Sequence, residues 1–434
     1  MKLYNYPDRK MWPEICARPS LSAGNLEKTI GEILSAVKRE GDAALRRFAR
    51  KWDGKAPEEF RVSKQEIAEA AEMVPKELKA AITLASENIR VFHAAQRAEE
   101  PRIETMPGLT CWQKSLPLER VGLYIPGGSA PLFSTILMLA IPAQIAGCRE
   151  IVLCSPPNTA GSWHPAMLYT AGLLGLNQLF KIGGAQAIVA MAFGTESIPK
   201  VDKIFGPGNQ YVTAAKQLVS REGVAIDLPA GPSEVLIIAD DSADPDFIAA
   251  DLLAQAEHGP DSQVVLVCNN PDLIPAVRAA LEKQLAELPR AEVARRALQN
   301  SRMVVLPNLS DAFDFSNTYA PEHLILLLRE PESWLDRIRH AGSVFVGHHT
   351  PESLGDYASG TNHTLPTNGY ARAFSGVSLE SFLKKITFQQ ATPAALQQIG
   401  PAVEIMADAE DLLGHARAVR IRLTKSGKDA DENI

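Results

Sequence analysis

From Val121 onward the chain repeats one unit, in which a short aliphatic run leads into a glycine turn and then a helical segment. The first runs cover 121–125, 151–154, 178–182 and 203–205, and three of them lead into Gly127-Gly128, Gly183-Gly184 and Gly206-Pro207-Gly208-Asn209. Short β-rich runs that alternate with glycine turns and helical segments form parallel β-α-β units. The rhythm continues at 234–239, 263–268, 303–306, 323–328 and 343–346. It predicts an α/β chain of two doubly wound lobes, one inserted in or adjacent to the other.

The flanks read differently. From Asn25 to about Gln96, apolar residues fall three and four apart (Ile30, Ile33, Leu34, Val37), which predicts helices, with pauses at Gly41 and Trp52-Asp53-Gly54 and a last helix over 76–95. After Ala373 the chain is read as helical again, with Pro393 and Pro401 in first turns, and the polar tail 425–434 is expected to fray. At 434 residues the chain exceeds the size at which one core keeps growing. A net charge of −7 with no Lys/Arg run excludes a nucleic-acid binder that works through a basic patch. Five cysteines without a C-x-x-C pair argue against disulfides or a thiolate zinc site, and residues 1–18 have no apolar core of a signal peptide. The apolar stretch 130–148, broken by Ser134, Thr135, Pro142 and Gln144, reads as a buried helix rather than a membrane span. Together these predict a cytoplasmic protein.

Each glycine turn lets backbone approach a ligand, and open α/β sheets bind ligands at the carboxyl ends of their strands. Each is equally compatible with a plain strand-to-helix connection, and no G-x-G-x-x-G fingerprint is present. Further along, Asp244-Pro245 starts a helix that Gly259-Pro260 stops, so Gln255 and His258, three apart, are expected on one face of its last turn, where spacing alone favours a solvated helix end over a metal site because Gln is a weak, neutral ligand. Glu322 and His323 stand immediately before an apolar run, where either could act as a general base or lie on a polar helical turn. Neighbours on a strand point to opposite faces, so the pair diverges unless the turn at Pro321 re-aims them. Asp356 and His363 lie in a small polar stretch, 355–363, read as a glycine-flanked loop. Glu410 and His415 fall in a helix read from Asp408 to about Leu423, where a spacing of five would keep them off a common face. Four of the nine histidines thus sit beside Gln, Glu or Asp at element ends, an oxygen-and-nitrogen set suited to zinc or manganese.

Taken together, V-G-L-Y-I-P-G-G-S-A-P-L-F-S-T, G-G-A-Q-A-I, I-F-G-P-G-N, A-G-P-S-E-V-L, Q-A-E-H-G-P-D-S-Q, P-E-H-L, G-D-Y-A-S-G-T-N-H-T-L-P-T and E-D-L-L-G-H resemble the histidinol dehydrogenase family over roughly residues 20–424. The resemblance implies zinc ligands at Gln255, His258, Asp356 and His415, and NAD contacts at Tyr124, Gln186 and Asn209. It implies substrate contacts at Ser233, His323, His363 and Glu410 besides the metal ligands, with Glu322 and His323 as the catalytic acid/base pair. The implied architecture is an intertwined homodimer of two incomplete Rossmann-like lobes with small helical terminal domains. Its boundaries are an N-terminal segment 1–19, a metal-bearing lobe 20–123 and 235–377, an NAD lobe 124–234, and a helical extension 378–434 that carries Glu410 and His415 to the partner's site.

The implied reaction takes histidinol to histidine through histidinal with two NAD. Zinc orients the imidazole and amino nitrogens, His323 removes the hydroxyl proton, and Glu322 activates the water that hydrates the aldehyde. A zinc hydrolase using Glu322 or His323 as base, a non-catalytic binding protein, and a dehydrogenase of the same superfamily acting on another polar alcohol are the alternatives. The glycine turns favour a nucleotide, and the His363 and Glu410 pair favours histidinol.

Overall fold

The computed structural model describes residues 1–18, 24–52, 54, 56–127, 131–228 and 231–431; Asp53, Gly128, Ala230 and the end of the polar tail, which belong to motifs and segments read above, lie outside the described residues. The chain divides into two compact units. Unit 1 comprises Met1–Gln96 and Leu118–Phe382, and unit 2 comprises Arg97–Pro117 and Leu383–Ile434.

Unit 1 holds two parallel sheets. One runs Gln178–Lys181, Glu150–Ser155, Arg120–Tyr124, Lys203–Phe205, Ala225–Ile226, and the other Lys2–Asn5, Arg302–Val305, Gln263–Cys268, Glu234–Ala239, His323–Leu327, Ser343–Val346. Numbered in chain order from Arg120 and from Glu234, both have the order 3-2-1-4-5, so each reverses direction beside its first strand. The doubly wound expectation holds. The strand Glu234–Ala239 is buried at all six positions, with Val235, Ile237 and Ala239 in the core on one face and Leu236 and Ile238 in the core on the other. A strand buried on both faces is apolar along its length, which is why 235–239 reads as an unbroken run, while its first residue, Glu234, is buried as a charge paired with Arg18. Each fully buried Leu or Ile there contributes about 1.5–3 kcal/mol.

Two flanking segments sit elsewhere than expected. The helices Gly24–Glu40 and Asp42–Trp52 lay Ile30, Ile33, Val37 and Leu45 into the core of the five-stranded lobe, against Ile188 and Val189, rather than into the metal-bearing lobe. The N-terminal segment is part of the six-stranded lobe, since Lys2–Asn5 pairs with Arg302–Val305 while Trp12 and Ile15 fill its core. The helix Phe133–Ala146 is buried from Ser134 through Ala143, and no helix among the described residues is long and apolar enough to cross a membrane.

Unit 2 corrects the expectation of a helical terminus. Leu383–Ala391 is a strand, paired antiparallel with Leu109–Pro117, which pairs in turn with Ile103–Met106. These strands are half-exposed and rich in Lys, Gln and Thr, so no one of them carries an apolar signature, and the sheet exists only through pairing across nearly three hundred residues. The helices Pro393–Ala409 and Leu413–Asp431 follow, meeting where Gly400 leaves room for Val419 and Leu423. The single helix read from Asp408 is two, broken at Asp411 with φ +59°, and the second extends past Leu423 instead of stopping there.

Candidate active site

The carboxyl ends of the five-stranded sheet open on a cavity of about 760 Å³. Tyr124, Gln186 and Asn209, one from each glycine turn, line it together with Gly127, His164 and Trp52. Tyr124 is buried, and its hydroxyl accepts a hydrogen bond from the Gly184 N–H at 3.0 Å. Gly206 adopts φ +123°, and a Cβ there would lie 2.0 Å from the Tyr124 carbonyl oxygen, so only glycine lets these turns pack. The Asn209 Oδ1 caps the helix Gln210–Arg221 by accepting from Tyr211 and Val212 N–H, which leaves its amide nitrogen as a donor toward a ligand.

A second cluster lies at the amino ends of the six-stranded sheet, the opposite end from the first cavity's. His323 opens its strand in register with Val235, and Glu322 precedes it. Ala320, at φ +53°, closes the helix Leu309–Tyr319 and swings the chain, so Glu322 folds back and its Oε2 lies 3.6 Å from His323 Nδ1. The divergence expected of strand neighbours is therefore absent. Both groups are held by one residue: the Glu234 N–H donates to Glu322 Oε2 at 2.8 Å, and the Glu234 carbonyl accepts from His323 Nδ1 at 3.0 Å. A carbonyl only accepts, so the proton sits on Nδ1 and the lone pair of the neutral ring on Nε2. That Nε2 is buried without a hydrogen-bond partner, 3.7 Å from Asp356 Oδ1.

His258, Glu352 and Asp356 complete the cluster, each offering one ligand atom, all within 4.8 Å of one another. The helix Pro245–Ala256 ends before His258, so Gln255 is buried and His258 exposed and the two share no helical face. They reach the cluster even so. Asp356 lies on the helix Glu352–Tyr357 and not in a loop, and Glu352, four residues earlier, shares its face. Sequence reading missed Glu352; the spacing of carboxylates in E-S-L-G-D was the available signal. Ser233 Oγ lies 3.5 Å from His258 Nδ1. His363 donates from Nδ1 to the Asp356 carbonyl at 2.8 Å and accepts at Nε2 from the Thr135 hydroxyl at 3.1 Å. Thr135 belongs to the helix that follows the first glycine turn, so this bond joins the two lobes.

The electrostatics are those of crowded, buried acids. Burial pushes Glu322 up to about 8 and raises Glu352 well above the ordinary carboxylate range. Burial disfavours the His323 imidazolium, but the charges of Glu322, Glu352 and Asp356 outweigh it and push His323 up to about 10. Burial likewise opposes ionisation of Asp356, yet His323, His363 and His258 hold it below its usual value. With its amide nitrogen toward Glu352, Gln255 donates at 2.6 and 3.1 Å. With its oxygen there, acceptor faces acceptor, an arrangement that a cation or a proton between them reconciles. The donor set of imidazole, carboxylates and an amide oxygen, without thiolate, fits a divalent cation such as zinc.

Glu410 and His415 belong to unit 2. Glu410 caps the end of Pro393–Ala409, His415 lies in the first turn of Leu413–Asp431, and both are exposed.

Comparison with known proteins bears on which chemistry this is. The family model for histidinol dehydrogenase matches residues 16–423. The chain belongs to the histidinol dehydrogenase family. The histidinol dehydrogenase of Bacteroides fragilis (strain YCH46) is 55% identical over 428 residues, 99% of this chain and 100% of the relative. That of Escherichia coli O157:H7 is 51% identical over 97% of this chain and 96% of its own length. The crystal structure of histidinol dehydrogenase from Elizabethkingia anophelis superposes with a TM-score of 0.96 at 53% identity, covering 98% of both chains. Membership makes the chain an oxidoreductase, and it bears out the family and the fold read from the sequence.

Proposed function

We propose that this histidinol dehydrogenase oxidises histidinol to histidine through histidinal, passing two hydrides to two molecules of NAD, with a divalent cation, zinc by its donor set, holding the substrate. The observation that carries the reading is the convergence of His258, Glu352 and Asp356 beside an unpartnered, buried His323 Nε2. Gln255, His258 and Asp356 would hold the metal, with Glu352 facing it. A bound cation supplies a fixed point for the substrate's imidazole and amino nitrogens and a charge that offsets the surrounding carboxylates.

With a cation offsetting the carboxylates that push His323 up to about 10, the ring would be neutral and its Nε2, with Nδ1 tied to the Glu234 carbonyl, would take the hydroxyl proton; NAD, when bound, would supply the hydride acceptor. Glu322, its carboxylate steadied by the Glu234 N–H, removes a proton from the water that adds to the aldehyde, and the hydrate yields the second hydride. A carboxyl near 8 is suited to this, because a base works best when its pKa lies near the working pH. NAD would occupy the cavity of the glycine turns, contacting Tyr124, Gln186 and Asn209; the volume and its position at strand carboxyl ends support this. Ser233, His323 and His363 would contact the substrate, and Glu410 and His415 of a second copy would complete the site in a homodimer. We assign the enzyme to a reducing cytoplasm, which its five free cysteines support.

The test is to count NADH formed per histidinol consumed, with and without a chelator. Two per substrate, abolished by chelation and restored by zinc, is the expected result; one NADH with aldehyde released, or full turnover without metal, overturns the reading.

A further inference from the structure

We infer that Arg18, in the N-terminal segment that carries no motif, is a positioning residue for the acid/base pair and acts through Glu234. The guanidinium grips both oxygens of the buried Glu234 carboxylate, Nε to Oε1 and a terminal nitrogen to Oε2, each at 2.9 Å. The same terminal nitrogen donates to the Tyr319 carbonyl at 2.7 Å, and the guanidinium lies 3.9 Å over the Tyr319 ring. Arg18 thus joins two things: the start of the strand Glu234–Ala239, and the left-handed turn at Ala320 that delivers Glu322 and His323.

What makes this more than a structural tie is the use of the Glu234 backbone. Its N–H holds Glu322 and its carbonyl holds His323, so any rotation of this residue moves both reacting groups at once. A bidentate guanidinium fixes a carboxylate in plane and distance, which a single ammonium contact does not. The Asn368 N–H also donates to Glu234 Oε1 at 2.8 Å, so without Arg18 the carboxylate keeps one contact and loses its clamp. Arg18 is away from the cavity of the glycine turns and contributes nothing to its walls. Its loss should therefore appear in the chemical steps and spare the dinucleotide.

The inference rests on the reading of Glu322 and His323 as the acid/base pair, and the experiment separates the two. Steady-state kinetics are measured for Arg18→Met, Arg18→Lys, Glu322→Gln and the double variant R18M/E322Q, with folding followed by circular dichroism. R18M is expected to lower kcat roughly tenfold to a hundredfold, the scale of a misplaced catalytic group, with KM for NAD and for histidinol within about twofold. R18K should fall between R18M and the parent, and the double variant should be no slower than E322Q alone. Wild-type kcat in R18M, losses that multiply in the double variant, or KM values that rise while kcat holds would overturn the role of Arg18. If R18M does not fold, R18K decides: reduced kcat at unchanged KM supports the role, and parental kcat overturns it. Parental activity in E322Q sinks the acid/base reading itself, whatever Arg18 does.

Discussion

The two lobes of unit 1 share one strand order and use it oppositely. The five-stranded lobe gathers Tyr124, Gln186 and Asn209 at strand carboxyl ends, around glycine turns and an apolar floor. The six-stranded lobe gathers Glu322, His323, Glu352 and Asp356 at strand amino ends, as buried and half-buried titratable groups with displaced pKa values. One site is made of backbone shape, the other of side-chain charge. A doubly wound topology therefore supplies the scaffold, while the kind of group that terminates its strands decides which end does chemistry.

If that division is real, perturbations at one site should leave the other intact. The largest expected effect is Glu322→Gln, with aldehyde oxidation reduced by about 10³-fold or more and alcohol oxidation reduced less, measured by supplying histidinal and histidinol separately. Equal loss of both steps would merge the roles given to Glu322 and His323. Next in size is Gly206→Ala, where the left-handed backbone and the 2.0 Å clash with Tyr124 should raise KM for NAD roughly tenfold or more, while metal content and KM for histidinol stay unchanged. Metal loss in that variant would break the separation.

A third test concerns the second copy. Mixing His258→Ala with His415→Ala subunits, each nearly inactive alone, should restore about a quarter of wild-type activity, because half the dimers are mixed and one of their two sites is intact. No restoration would place both residues in a site within one chain.

The smallest expected effect is on stability. The folded pKa of Glu322, about 8, exceeds its ordinary value near 4.5, so the folded state binds the extra proton between those limits and stability falls as pH rises through them. His323, pushed up to about 10, adds a stability that is complete below about 6.5 and lost as pH rises toward 10. Metal-free protein should thus melt at lower temperature at pH 9 than at pH 6, and E322Q should flatten the slope between about pH 4.5 and 8. A rise in melting temperature with pH would contradict these assignments.

Much of the fold is legible in the sequence. The parallel strands from 121 to 346 announce themselves because burial on both faces demands unbroken apolar runs, and Tyr124, Gln186 and Asn209 are marked by the turns that hold them. The small antiparallel sheet is not legible, since Ile103–Met106, Leu109–Pro117 and Leu383–Ala391 are amphipathic pieces defined only by each other. Glu322 and His323 were visible as residue types, but their convergence depends on a positive φ at an alanine, which no local pattern announces. Arg18 escaped because its meaning lies in Glu234, more than two hundred residues away, and Glu352 because its spacing to Asp356 is a signal only once 352–357 is a helix rather than a loop.

Anomalous diffraction at the zinc edge, from crystals soaked in zinc, addresses the central assignment most directly. The account predicts one peak per subunit, about 2.0–2.2 Å from a His258 nitrogen and an Asp356 oxygen, lost in His258→Ala. A peak away from Gln255, His258 and Asp356, or one that survives that substitution undiminished, would contradict it.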